Sequence, residues 1–116
     1  MNNKERLLTL IREHYAQEIA HADRMSGLYS RIAATRAHLK WRETFRLWDV
    51  VDLELANFDR HYAQFQSELE ALYEVTSPSE FTEDEHQEMQ TLLETGISLS
   101  KRMIEQLKQI REDALQ

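Results

Sequence analysis

Cysteine is absent from the 116-residue chain, which excludes disulfides, thiolate catalysis and any cysteine-based zinc site. Glycine and proline are nearly absent as well: Gly27, Gly96 and Pro78 are the whole supply. A β-sandwich or barrel needs such residues at its turns, so their shortage points to helices. No apolar run approaches the roughly 20 residues of a membrane span, and Asn2-Asn3-Lys4-Glu5-Arg6 does not open a secretory leader. The expectation is a soluble, cytoplasmic, single-domain protein with enough chain to bury one core.

What the chain does have is apolar periodicity. An Asn side chain can accept from the free N–H groups of a first helical turn, so a helix is expected to begin at Asn2 or Asn3, with Glu5 placed as in a capping box. Leu8, Ile11, Tyr15, Glu18, Ala22, Met25, Tyr29, Ile32, Arg36 and Leu39 then follow heptad spacing, with only Glu18 and Arg36 out of character. Ser26-Gly27 resembles a helix stop, but the apolar register passes through it unchanged. Gly27 therefore falls on the outward face of one continuous helix, as a soft point costing about 1 kcal/mol.

A stronger register runs through Trp48, Val51, Leu55, Phe58, Tyr62, Phe65, Leu69 and Leu72. It is two residues out of phase with the first, so the chain must turn or unwind near residues 38–46. Yet residues 38–44 hold no Gly, Pro, Asn or Asp. The alternative is a stripe of Tyr29, Ala33, Ala37, Trp41, Phe45 and Trp48 that carries one helix through the junction. From residue 4 to 75 such a helix would measure about 108 Å at about 1.5 Å per residue, and it would demand a partner chain.

Pro78 marks a loop, and Thr82 with Glu85 forms a capping box whose acidic first turn suits the helix dipole. Met89, Leu92, Leu93, Gly96, Leu99, Met103, Leu107 and Ile110 keep one face apolar beyond it. The sequence thus predicts an all-α fold in a single domain over 1–116. Its long amphipathic helices, at about 3–39, 42–75 and 82–114 with a loop at 76–81, form an antiparallel helical bundle or a hairpin that dimerisation can complete.

The formal net charge of -7 is unevenly spread. Residues 1–46 hold nine Lys/Arg and five Asp/Glu, whereas residues 47–94 hold thirteen acids against Arg60 alone. A charge asymmetry of this kind bears on partners and helix pairing more than on fold.

Candidate chemistry is sparse. His14, Glu18 and His21 share a helical face, as metal ligands in a bundle do, but no second Glu-x-x-His accompanies them. A solvated or hydrogen-bonded histidine pair is the simpler reading, and no metal or cofactor is expected. Asp59 and His61 are near neighbours in a helix and point apart, so they do not form an acid–base pair. With no phosphate loop and no serine elbow, no enzyme is expected.

Seven of the ten aromatic residues lie between Trp41 and Tyr73. Phe58, Tyr62 and Phe65 fit the core. Trp41, Phe45 and Trp48, set among Arg42 and Arg46, have the composition of an interface anchor. The basic run Arg31, Arg36, Lys40, Arg42 and Arg46 lies beside too many acids to favour nucleic acid, and is read as neutralising acids on a neighbouring helix or a second subunit. The expected function is a protein–protein interaction module, chaperone-like, adaptor or regulatory. Its expected partner is another protein, with homo-oligomers formed and no membrane contact. The alternative is an acidic inhibitor that mimics nucleic acid through Glu83, Asp84, Glu85 and Glu88.

Overall fold

A computed structural model describes residues 2–38 and 40–115 of the chain, with side chains to residue 113. Among the described residues the fold is all-α: α1 (Asn3–Ala37), α2 (Trp41–Val75) and α3 (Glu83–Leu115), with a turn of 3-10 helix at Pro78–Glu80. None of these helices is long and apolar enough to cross a membrane.

The helix starts follow local chemistry. Asn2 Oδ1 accepts the Glu5 backbone N–H at 2.8 Å. Ahead of α3, Thr82 Oγ1 accepts the Glu85 N–H at 3.2 Å while Glu85 Oε1 accepts the Thr82 N–H at 2.9 Å, a reciprocal box. Ser77 and Glu80 make a second such box around the 3-10 turn, with Glu80 Oε2 accepting the Ser77 N–H at 3.0 Å. α1 passes through Gly27 without a break, and no atom stands within 4 Å of where a side chain would begin there.

The reversal between α1 and α2 is confined to residues 38–40, of which Leu39 lies outside the described residues. The helix boundaries near it therefore move from 39 and 42 to Ala37 and Trp41. The continuous helix through residue 41 is not formed. The reason is hydrogen bonding rather than turn residues: the His38 N–H reaches Ala34 O at 3.2 Å and the Lys40 N–H reaches back to Thr35 O at 2.8 Å, the six-to-one bond that closes many helix C-termini. Thr44, 3% exposed, sits under the turn with its Oγ1 2.8 Å from Thr35 Oγ1 and 3.0 Å from Lys40 O. Its single proton can serve either acceptor.

α2 runs antiparallel to α1, pairing Thr35 with Thr44, His21 with Phe58 and His14 with Phe65 at matching steps along both helices. α3 runs parallel to α1. α1 is thus the shared helix, and α2 and α3 approach each other least. The rod is 57 × 22 × 21 Å, about the length of a single 35-residue helix at about 1.5 Å per residue.

Two apolar clusters hold it. One joins Met25, Leu28 and Ile32 to Leu47, Val51, Leu107 and Ile110, and the other joins Leu7, Leu8 and Ile11 to Phe65, Leu69 and Met89. Each such side chain, fully buried, contributes about 1.5–3 kcal/mol of transfer free energy. Between the two clusters the middle of the rod is polar.

Candidate functional site

The first half of α2 carries an unusual outer face. Phe45 is 67% exposed, Leu53 62%, Trp41 49% and Val50 44%. Trp41, Phe45, Asp49 and Leu53 follow one another at four-residue steps, which places them in a stripe along one side of the helix. Arg42, Arg46 and Asp49 are exposed beside these apolar groups and, among the described residues, form no ion pair.

Of the five residues expected at an interface, Trp41, Arg42, Phe45 and Arg46 therefore stand on the open surface. Trp48 does not. It packs half-buried against the Met25–Ile110 cluster, with the Arg111 guanidinium 4.2 Å over its ring and bonded to Asp52 at 2.8 Å. Leu53 completes the exposed stripe and Val50 stands apart from it, beyond Arg46, at a crevice shared with α1; neither is among the residues that the sequence singles out. The available signal was the step of four from Trp41 through Phe45, interrupted to the eye by Asp49.

The acidic start of α3 is partly occupied by α1. Lys4 pairs with Glu85 at 2.8 Å, and Arg12 holds Glu88 through two bonds of 2.7 and 3.0 Å. Hydrogen bonds from Lys4 and Arg12 keep these two carboxyls below the usual carboxylate range. Glu83 and Asp84 remain exposed. Among the described residues Lys4, Arg12, Arg24 and Arg111 pair with Glu85, Glu88, Glu54 and Asp52, and the basic run from Arg31 to Arg46 makes no ion pair with a neighbouring helix. Within that run, Arg36 instead donates to the Ile110 carbonyl at 3.1 Å.

The middle layer of the rod is built from a polar face of α1, on which His14 and His21 take the inward places that the heptad reading gives to Tyr15 and Ala22, both only half-buried. His14, Glu18 and His21 are 6%, 3% and 2% exposed. Glu18 Oε1 meets His14 Nε2, and Glu18 reaches α3 at Gly96. A Cβ at position 96 would stand 2.7 Å from Glu18 Cδ, so only glycine leaves room for the carboxylate. His14 stacks on Phe65 with ring centroids 3.6 Å apart, and His21 stacks on Phe58 at 4.2 Å.

Burial pushes the His21 pKa below its ordinary value, with Glu54 opposing the shift and Arg24 adding to it. The 3.7 Å between His21 Nδ1 and Glu54 Oε2 is too long for a hydrogen bond. Among the described residues no group of three or more His, Asp and Glu is arranged to hold a metal ion.

A groove of about 280 Å³ between α1 and α2 is bordered by His14, His21, Arg24, Glu54, Phe58 and His61. Asp59 faces a different crevice, between α2 and α3. The structure thus keeps Asp59 and His61 apart, as their spacing implies. Comparison of the chain with protein families, with curated proteins and with solved structures finds no match.

Proposed function

We propose that the chain is a protein-binding module that docks through the outer stripe of α2. The observation that carries this reading is the exposure of Trp41, Phe45 and Leu53, two aromatic rings and a leucine on one helical face. Large apolar groups standing together on a surface mark interaction sites in otherwise well-packed proteins. Arg42 and Arg46 beside them complete the composition of a binding hot spot.

The partner is another polypeptide, a second copy of this chain first among the candidates. Along the stripe the free charges change sign from Arg42 and Arg46 to Asp49, so two α2 helices laid antiparallel bring basic turns against acidic ones. Chaperone-like, adaptor and regulatory roles all use a surface of this kind. The acidic-mimic alternative has less to stand on, because Glu85 and Glu88 are already engaged by Lys4 and Arg12.

Trp41→Ala separates an interface residue from a core one. Sedimentation equilibrium should show self-association weakened by roughly 2 kcal/mol, while urea denaturation changes little. A stability loss of about 3–5 kcal/mol, the cost of emptying a large aromatic site, would assign Trp41 to the core and remove the anchor.

A further inference from the structure

Because α1 is shared and α2 and α3 stand furthest apart, the bundle is not closed on the side away from the α1–α2 groove. Midway along the rod a crevice of about 240 Å³ opens between α2 and α3. Phe58 and Tyr62 form one wall, Ile97 and Ile104 the other, and Glu18 of α1 lies at the bottom with Ser100 beside it.

Both floor residues are buried, Glu18 at 3% and Ser100 at 7% exposure, and each has a polar atom without a hydrogen-bond partner among the described residues, Glu18 Oε2 and Ser100 Oγ. Buried polar atoms in folded proteins are nearly always satisfied. A carboxylate oxygen needs a donor, and the His14 ring lies against the other oxygen.

The chemistry of the crevice narrows what could supply that donor. A cation suits a carboxylate floor, and the faces of Phe58 and Tyr62 also attract positive charge. Asp59 at the mouth adds to the attraction and Lys101 opposes it. The net charge of -7 draws cations toward the chain as a whole. The remaining walls are apolar, so the charged head must carry a hydrophobic body. The volume lies below the roughly 300–1,000 Å³ of drug-sized pockets, so that body is small. We propose that this crevice binds a small primary ammonium ion with a compact apolar group, its head on Glu18 and its body between Tyr62 and Ile97. The proposal is independent of the α2 docking stripe.

Titration of the full chain with phenethylammonium, followed by ¹H–¹⁵N NMR, tests it. Phenethyl alcohol and phenylpropionate serve as neutral and anionic controls. The expected result is a saturable shift centred on Glu18, Gly96 and Ser100, with the alcohol at least about tenfold weaker and the acid silent. Glu18→Gln should weaken amine binding by about tenfold or more. Ile97→Trp, which starts from a position 38% exposed, should block the crevice while leaving Glu18 in place. The second variant keeps the test decisive if the first does not fold. No saturable shift, equal binding of amine and alcohol, or full binding by Ile97→Trp would overturn the assignment.

Discussion

Glu18 interrupts the apolar register of α1, and the structure answers the interruption with a glycine on the opposing helix. The two glycines of the chain therefore do opposite things. Gly27 faces open space inside α1, where alanine gains about 1 kcal/mol of helix propensity. Gly96 faces the Glu18 carboxylate, and a methyl group there forces a buried side chain from its place at a cost of about 1–3 kcal/mol. Chemical denaturation should find Gly27→Ala more stable than the parent and Gly96→Ala less stable, with Glu18→Ala restoring part of the loss in the Gly96→Ala background.

His21 supplies a second test at the same scale. Its folded pKa lies below about 6.5, the ordinary histidine value, because burial disfavours the charged ring against the attraction of Glu54 and Glu18. As pH falls through about 6.5 the unfolded chain takes up a proton that the folded chain refuses, so stability present above that pH is lost below it. The urea midpoint should fall between about pH 7.5 and about pH 5.5, and the fall should shrink in His21→Phe.

At the scale of the helices, what was legible in sequence was local. Asn2, Thr82 with Glu85, and the unbroken register across Gly27 all act within a few residues, and each appears where the spacing placed it. The α1–α2 reversal was not legible in the same way, because it rests on Thr35 and Thr44, which meet only after the chain has turned. The placement of Trp48 depends on Arg111, which arrives from α3 and covers the ring. The buried polar layer was half legible: the shared face of His14, Glu18 and His21 followed from spacing, but Gly96 as its counterpart required the register of α3 against α1.

The turn carries its own prediction. Thr44→Val keeps the shape of the buried side chain and removes its hydroxyl, while Thr35 retains its bond to the Ile32 carbonyl. Stability should drop by about 1 kcal/mol. The denaturant midpoint should move without a change in slope if the helices stay paired.

Taken whole, the molecule is a rod with a satisfied apolar core at each end, a polar middle, and one apolar stripe turned outward. The core clusters use the inward faces of all three helices, so nothing within the described chain covers Phe45 or Leu53. The proposed docking face is the outside of α2, and self-association is the most direct test of it. Light scattering on the wild-type chain and on Phe45→Glu at high micromolar concentration is the decisive measurement. A dimer mass is expected for the wild type and a monomer mass for the variant, with the same helical content in both. A strictly monomeric wild type, or a dimer that survives Phe45→Glu, would contradict the proposed docking face.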